Sequence, residues 1–442
     1  MKALTQKLLS DLSDFSVSSG RRLFHNAPYW IAALLVGVYA VFYAKIFALS
    51  EAFSKYLFKT NSVLYFFLSC AFFVSAWLLI HFVAPKARGS GIPQVMAAVE
   101  EGASSKSKYL GLRISIVKTL SSVLCVLGGG AIGREGPTLQ VSASIFHFLG
   151  NKLDKYFHFR IKPEVWIIAG ASAGLSAAFN TPLGGLVYAI EELSRSHLNN
   201  LKTPLISAVI VSGLAAQVLS GPYLYIGLPA LASIKIGTYV YIVLTSFVCG
   251  FLGALFGKLL YVISRYIRNK KSLKISLMVP VLVAATIFLY AFYIEPNIMG
   301  SGKEVLTSLL FEERLEQHGL ISLSVARFIG PILTYISGVA GGIFAPSLAA
   351  GGAFGALIAD SLDVSNHNLL VMLGMISFLT GVTRTPFTAF VLVLEMTDRH
   401  SAIIPMMISA LLASVVAPVV DEKSIYEKVR DDYLAKEPEI AT

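Results

Sequence analysis

The segment Gly128-Gly-Gly-Ala-Ile-Gly-Arg-Glu-Gly-Pro137 decides the fold, because its pattern returns in the second half of the chain. Three signatures rich in Gly or Pro occur twice, in the same order and at offsets of 204 to 211 residues. They are Gly89-Ser90-Gly91 with Gly300-Ser301-Gly302, Gly129…Gly133…Pro137…Leu139 with Gly338…Gly342…Pro346…Leu348, and Gly170…Thr181-Pro182…Glu191 with Gly374…Thr385-Pro386…Glu395. A single match would be chance in a Gly-rich chain. Three in order predict a duplication of about 200 residues.

The composition around these signatures is that of a membrane protein. The chain has 442 residues, of which 55% are hydrophobic and 14% charged, and its mean hydropathy is +0.70. A soluble globular chain carries about 25% charged residues, so a cytosolic enzyme and a disordered protein are both excluded. The net charge of +10 comes from cations between apolar runs. They form no continuous stripe, which favours a membrane surface over nucleic acid.

The residue types that most often carry enzyme chemistry form no recognisable cluster. The three cysteines are far apart inside apolar runs, which predicts neither disulfides nor a redox motif. The eight histidines show no ligand spacing, so no metal and no cofactor are expected. The formal G-x-G-x-x-G at Gly128, Gly130 and Gly133 fails as a dinucleotide fingerprint, because it follows a membrane run and lies in no βαβ unit. A membrane enzyme is therefore the weakest hypothesis.

Uncharged apolar runs predict the membrane spans. A spanning helix needs about 20 mostly apolar residues, and four runs reach that length: Asn61–Pro85, Ile236–Gly257, Ile275–Ile294 and Ser401–Val420. Asn26–Ala44 falls just short, while Val165–Ile190 and Phe328–Ala359 are interrupted by Gly and Pro. Broken helices survive in a membrane only where their free backbone lines a cavity or is buried in protein. The predicted fold class is an all-α integral membrane protein with many tilted and broken helices.

Basic residues predict that the two repeats are inverted. Lys and Arg concentrate in cytoplasmic loops, so the basic N-terminus, Lys86 with Arg88, and the loop of residues 265–274 are expected in the cytoplasm. The first Gly-Ser-Gly then follows a span that ends inside, and the second follows a span that ends outside. Inverted repeats whose broken helices meet at the midplane are typical of secondary transporters. Helix N-termini aimed at one centre favour an anion.

Three segments that belong to the glycine signatures carry candidate chemistry. Ser90 offers a hydroxyl near a helix start, although a simple capping serine is the commoner case. Glu135 is an acid at the head of a membrane helix, where ionisable groups are usually functional; a structural pair with Arg134 is the alternative. The amides of Ile343 and Phe344 occupy the repeat position of Glu135 and can hold an ion, while their neighbouring glycines can equally serve helix packing.

Two further segments remain ambiguous from the residues alone. Glu191 and Glu192 end an apolar segment, where most glutamates are merely solvated. Glu395 occupies the repeat position of Glu191, which favours a structural role for Glu191 over Glu192. Tyr426 follows the last span and by itself reads as an interfacial aromatic residue.

Together these segments resemble the CLC family of chloride channels and proton-coupled chloride transporters, over roughly residues 25 to 432. The resemblance rests on Gly-Ser-Gly-Ile-Pro at 89–93, Gly-Arg-Glu-Gly-Pro at 133–137, Gly-Gly-Ile-Phe-Ala-Pro at 341–346 and the late Tyr426. It implies a chloride site formed by Ser90, Tyr426 and the amides of Ile343 and Phe344. It implies that Glu135 is the external gate and Glu192 the internal proton-transfer residue, and it matches Lys118 to a buried lysine. The backbone along the anion pathway would come from Gly89, Gly91, Gly133, Arg134, Gly136 and Gly342.

The resemblance also bears on substrate and assembly. Serine at position 90 resembles the chloride-selective members, whereas nitrate-selective plant relatives carry proline and fluoride exporters methionine. Gln94 and Met96 replace acids found in some bacterial relatives. The leading hypothesis is a chloride/proton antiporter that forms a homodimer with one pathway per subunit; a passive chloride channel is the rival. The chain ends soon after Tyr426, so the cytoplasmic CBS domains of eukaryotic relatives are not expected.

These inferences predict the organisation and location of the chain. A cytoplasmic amphipathic segment, residues 1–25, with no cleavable signal region, precedes a first membrane repeat at 26–202 and a second, inverted repeat at 203–420. A short cytoplasmic tail follows at 421–442. The expected location is the plasma (inner) membrane of a prokaryote, with both termini in the cytoplasm and lipid, chloride and protons, but no nucleic acid, as partners.

Overall fold

The computed structural model describes residues 2–102, 108–157, 161–193, 202–221, 224–270, 272–311 and 317–435. Within these ranges the chain forms seventeen α-helices and no β-strand. Six helices are long and apolar enough to cross a membrane, and several shorter apolar helices lie among them. The predicted class, an all-α membrane protein with broken helices, is confirmed.

The helices of the first half are α1 (Lys2–Thr60), α2 (Ser62–Leu78), α3 (Ile92–Glu100), α4 (Leu112–Leu127), α5 (Glu135–Phe157), α6 (Pro163–Phe179), α7 (Pro182–Tyr188) and α8 (Lys202–Ser220). Those of the second half are α9 (Thr238–Arg268), α10 (Leu273–Tyr293), α11 (Lys303–Phe311), α12 (Gln317–Ile336), α13 (Phe344–Ser361), α14 (His367–Thr383), α15 (Pro386–Thr397), α16 (Ile403–Val420) and α17 (Ile425–Ala435). Single π-helical turns extend α2 over Leu79–Val83 and α7 over Ala189–Leu193.

The helix starts reproduce the predicted duplication. Helices α2 and α3 begin 211 residues before α10 and α11, α5 begins 209 before α13, and α6 and α7 begin 204 before α14 and α15. The short helices α3 and α11 even have the same length, nine residues. These offsets equal those of the sequence signatures, so the repeat extends to whole helices.

Equivalent breaks interrupt the two halves. Asn180 ends α6 with φ +57° and Arg384 ends α14 with φ +64°, and each is followed by Thr and by a Pro that begins the next helix. A left-handed residue closes a helix by turning the chain away, and Pro is tolerated in a first helical turn because the N–H it lacks would have no partner there. The predicted interruption of 165–190 therefore lies at Asn180-Thr181. The segment 328–359 is interrupted between α12 and α13.

The four uninterrupted spans predicted from the sequence correspond to α2 with its π turn, α9, α10 and α16. Helix α9 runs on to Arg268, beyond the apolar run, because the basic residues of its last turn suit a helix C-terminus. Helix α1 is continuous from Lys2 to Thr60, and its apolar part spans Ala27–Thr60. The predicted amphipathic face of residues 1–25 concerns side chains outside the described set.

Two glutamates hold the repeats together reciprocally. Glu191 accepts hydrogen bonds from the backbone N–H groups of Phe387 and Thr388 at the start of α15, at 3.1 and 2.7 Å. Glu395 accepts from those of Leu183 and Gly184 at the start of α7, at 3.1 and 2.7 Å. Each carboxylate thus caps the positive end of the helix in the other repeat. This exchange is what an inverted pair requires, and it confirms the structural role predicted for Glu191.

Candidate anion pathway and its gate

The glycine signatures of the two repeats meet at the centre of the molecule. Gly133 and Gly342 exchange two backbone hydrogen bonds, each 2.7 Å long. Nearby, the N–H of Gly89 donates to Val339 and the N–H of Gly341 donates to Gly89, at 3.0 and 3.1 Å. Three chain segments that are distant in sequence therefore present their backbones to one another, at the amino ends of α3, α5 and α13.

Only glycine fits where these segments meet, because their backbones approach each other closely. Gly91 has φ +102°, and a Cβ there would lie 2.9 Å from the carbonyl oxygen of Gly136. A Cβ on Gly136 would lie 2.5 Å from the carbonyl oxygen of Ser90. Because no side chain fits, glycine at these two positions lets the backbone segments approach each other closely.

Ser90 and Tyr426 lie together although 336 positions separate them in the sequence. Both side chains are 1% exposed, and the two hydroxyls are close enough to interact. Among the described residues, neither hydroxyl completes a hydrogen bond within normal distance. Among the described side chains these buried hydroxyls have a hydrogen-bonding interaction only with each other, which leaves hydrogen-bond donors available for a ligand, so this pair fits an anion. Tyr426 is not the interfacial aromatic residue that its position alone suggested.

Ile343 and Phe344 stand at the amino end of α13. Ile343 is the N-cap residue and Phe344 begins the helix; they are 1% and 0% exposed. The first N–H groups of a helix have no partner within the helix, and this end carries the positive part of the helix dipole. The ring of Phe344 packs on Phe179 at 5.6 Å between centroids, which fixes the helix start at the junction.

Glu135 occupies the matching position on α5. Its side chain is 1% exposed. The carboxylate interacts with its own backbone amide and with that of Ala345 in the first turn of α13. One oxygen, Oε1, accepts a hydrogen bond from the Tyr225 hydroxyl at 3.4 Å. Glu135 thus places its carboxyl group where two helix N-termini favour an anion.

Arg134 does not form the ion pair that was the alternative explanation for Glu135. Its guanidinium donates to the carbonyl oxygen of Ala178 at 3.3 Å, although its charge still acts on the carboxylate at a distance. The glutamate is therefore not neutralised by a direct contact with its neighbour in sequence.

Glu192 lies in the π-helical turn that ends α7 and is 3% exposed. It interacts electrostatically with the tyrosines Tyr188 and Tyr426, and Tyr188 is itself fully buried. Its neighbour Glu191 points the other way, to the start of α15. The adjacent glutamates therefore have different surroundings, with Glu192 within electrostatic range of Tyr188 and Tyr426.

Two buried cations hold the Gly-Ser-Gly loops. Lys118 is 0% exposed and donates to the carbonyl oxygens of Ala87 and Gly89, at 3.0 and 2.7 Å. Arg327 is 1% exposed and donates to those of Met299 and Gly300, at 2.8 and 3.0 Å. Arg327 is 209 residues after Lys118, so the repeat offset predicts it. The sequence reasoning did not apply that offset to Lys118 and so missed this residue.

The second Gly-Ser-Gly loop holds a carboxylate of the protein itself. Glu51, on α1, accepts from the backbone N–H and the hydroxyl of Ser301, at 3.2 and 3.0 Å. Ser90, the repeat partner of Ser301, has no such acceptor among the described side chains. The Ser301 loop is thus occupied by a carboxylate of the chain itself, whereas the Ser90 loop is not. An acid inside the apolar α1 was the available signal for Glu51, and the sequence reasoning did not use it.

Within the described ranges, no three His, Cys, Asp or Glu side chains lie close enough to hold a metal ion. The donors that converge at the junction are N–H groups and hydroxyls, which suit an anion and not a cation.

Known proteins share both the sequence and the fold. Residues 70–418 match the family model described as voltage gated chloride channel. An H(+)/Cl(-) exchange transporter of Vibrio cholerae is 30% identical over 452 residues, which cover 96% of this chain and 91% of the relative. Its counterpart in Citrobacter koseri is 29% identical and covers 84% and 79%. The crystal structure of a slow cyanobacterial Cl-/H+ antiporter has a TM-score of 0.83 over 93% of this chain and 98% of that one, at 22% identity.

Proposed function

Since this chain belongs to the voltage-gated chloride channel (CLC) family, we propose that it is a chloride/proton antiporter. Chloride passes through a central site formed by the hydroxyls of Ser90 and Tyr426 and the amides of Ile343 and Phe344. Protons use the carboxylates of Glu135 and Glu192. The relatives named as H(+)/Cl(-) exchange transporters support exchange over passive conduction.

The observation that carries this proposal is the position of the Glu135 carboxylate. It is buried at the amino end of α5 and interacts with the amide of Ala345 at the start of α13. An ionised carboxylate there competes with chloride for the same positive helix ends. A protonated carboxyl has lost the charge that holds it, so it leaves the path and the anion enters. One residue therefore links proton binding to anion passage.

A second titratable group, Glu192, allows the proton and the chloride ion to follow separate routes on one side of the central site. Glu192 is buried near Tyr188 and Tyr426, on the side of the central site where α7 ends. A proton can reach the centre from Glu192 without using the chloride entrance. Anion and proton then share only the part of the route at Glu135, which is the arrangement that exchange requires.

The chain is a multi-pass membrane protein, and its orientation follows from charge. Lys86, Arg88 and Arg268 lie on the same side of the structure as α17, where Arg268 pairs with Asp432 and Lys86 stacks on Tyr433. Because basic residues concentrate in the cytoplasm, we assign this side and both termini to the cytoplasm, in the inner membrane of a prokaryote. Glu135 and Tyr225 then belong to the outer side.

Two copies of the chain form the proposed homodimer. The proposal rests on the CLC resemblance, and the equivalent helices α8 and α16 offer exposed apolar surface for it. Val218 on α8 is 83% exposed, and Leu411 and Val419 on α16 are 63% and 82% exposed. Cross-linking of the purified protein in lipid should yield dimers; a species that stays monomeric at all protein concentrations contradicts the assignment.

The gate assignment is tested by Glu135→Gln, which keeps the size of the side chain and removes its charge. In liposomes that contain only this protein, the variant should move chloride passively and should not move protons against their gradient. The wild-type chain measured in the same vesicles is the control. Uphill proton movement that persists in Glu135→Gln would show that another group is the gate.

A further inference from the structure

Tyr225 is the side chain that reaches the gate from outside the repeated signatures. It lies in the irregular segment between α8 and α9, is 4% exposed, and donates from its hydroxyl to Oε1 of Glu135 at 3.4 Å. Its ring packs edge-on against Phe179, with the centroids 5.0 Å apart. The backbone N–H of the next residue, Ile226, donates to Met396 at the end of α15, which anchors the segment. The tyrosine is thus held by packing and by backbone, with its hydroxyl directed at the carboxylate.

Lys303 lies over the ring of this tyrosine. Its ammonium lies 4.5 Å from the centroid of the Tyr225 ring, and its charge also acts on Glu135. A cation over an aromatic face is attracted to the ring and draws electron density from it, which makes the phenol a stronger hydrogen-bond donor. Lys303 therefore acts on the gate twice, directly by its charge and through the hydroxyl of Tyr225.

The position of Lys303 is itself determined by the second Gly-Ser-Gly loop. Lys303 begins α11 immediately after Gly302, and its backbone N–H donates to the Ser301 hydroxyl at 3.4 Å. That hydroxyl donates in turn to Glu51. Arg327 holds the same loop by donating to the carbonyl oxygen of Gly300. The second Gly-Ser-Gly loop thus fixes the start of α11 and, with it, the position of Lys303.

We propose that Tyr225 and Lys303 form an outer latch that holds the Glu135 carboxylate in the anion path and so lowers the affinity of the protein for chloride. Tyr225 is a positioning residue that acts through Glu135, and Lys303 strengthens the hydrogen bond from Tyr225 to Glu135. The inference rests on the proposed role of Glu135 as the gate. In this proposal Tyr225 and Lys303, in addition to the helix N-termini, determine how firmly the Glu135 carboxylate is held in the anion path.

The latch predicts a specific change in chloride binding. Tyr225→Phe keeps the ring and its packing on Phe179 and removes only the hydroxyl. A hydrogen bond to a charged acceptor is worth more than a neutral one, but at 3.4 Å it is long and therefore weak, so chloride should bind about three- to tenfold more tightly to the variant. Lys303→Met should shift the affinity in the same direction.

The experiment is isothermal titration of chloride into the purified protein, with a double-mutant cycle to isolate the gate. Tyr225→Phe should tighten binding in the wild-type background and have no effect in the Glu135→Ala background, where there is no carboxylate to hold. Tyr39→Phe is the matched control, because its hydroxyl contacts Thr119 at 2.8 Å and makes no contact with the gate. It should leave chloride affinity unchanged in both backgrounds.

The outcomes separate the latch from the gate. Unchanged affinity in Tyr225→Phe, or an equal change in both backgrounds, overturns the latch, since the second result means that the tyrosine acts on structure and not on Glu135. If Glu135→Ala fails to tighten chloride binding at all, the carboxylate does not compete with the anion. In that case the proposed gate fails before the latch is tested.

Discussion

Glu191 and Glu192 are adjacent in sequence, and we predict opposite effects of removing them. Glu191 accepts three hydrogen bonds at the start of α15: from the backbone N–H of Phe387 at 3.1 Å and from the N–H and hydroxyl of Thr388 at 2.7 Å each. Glu192 is 3% exposed and within electrostatic range of Tyr188 and Tyr426. The first residue should matter for stability and the second for proton movement.

The size of the stability effect follows from these contacts. Loss of a helix cap costs about 0.5–2 kcal/mol, and hydrogen bonds to a charged group are worth about 1.5–3 kcal/mol each, less where water replaces the partner. The half-buried Glu191 should therefore contribute about 2–4 kcal/mol, so Glu191→Ala should unfold at a clearly lower temperature. Glu192→Gln keeps the shape of its side chain and one acceptor oxygen, and it should unfold near the wild-type temperature.

The assay combines thermal unfolding in detergent with proton and chloride flux in liposomes. Glu191→Ala should be destabilised but still exchange chloride for protons, whereas Glu192→Gln should be stable, conduct chloride and move no protons. Glu395→Ala provides the matched control, because Glu395 caps α7 as Glu191 caps α15; it should lose similar stability and keep coupling. Loss of coupling in Glu191→Ala at unchanged stability would refute the division of roles.

Two further substitutions test the central site. Ser90→Pro should shift anion preference from chloride toward nitrate by about tenfold or more, because one hydrogen bond to a charged ion, worth about 1.5–3 kcal/mol, is lost; unchanged competition binding would refute the role of the hydroxyl. Lys118→Met removes two hydrogen bonds to the carbonyl oxygens of Ala87 and Gly89 and should loosen the Ser90 loop, lowering chloride affinity at least several-fold. An affinity equal to that of the wild type in Lys118→Met would show that the loop holds its shape unaided.

Those features of the site that depend on the internal repeat and on backbone geometry could be predicted from the sequence. Glycine positions, helix breaks and the reciprocal role of Glu191 follow from spacing, because a duplicated chain must place equivalent residues in equivalent geometry. The same offset leads from Lys118 to Arg327, which the residue-by-residue reading overlooked. The roles of the individual site residues remain predictions until the fluxes are measured.

Contacts made across the fold could not be predicted in this way. Tyr225 lies in an irregular segment with no repeat partner in the signatures, and contacts with Phe179 and with the end of α15 bring its hydroxyl to Glu135. The sequence likewise could not tell that Tyr426 is buried beside Ser90 and not at a membrane surface. Such contacts depend on how helices far apart in sequence pack together, which periodicity and spacing do not encode.

The most direct test of the account is made on the unmodified chain. Liposomes that contain only this protein are loaded with a chloride gradient and no proton gradient, and the internal pH is followed. The account predicts that chloride moving down its gradient drives protons in the opposite direction, against the pH difference that builds up. Chloride movement without any accompanying proton movement would contradict it and would identify the protein as a passive channel on the same fold.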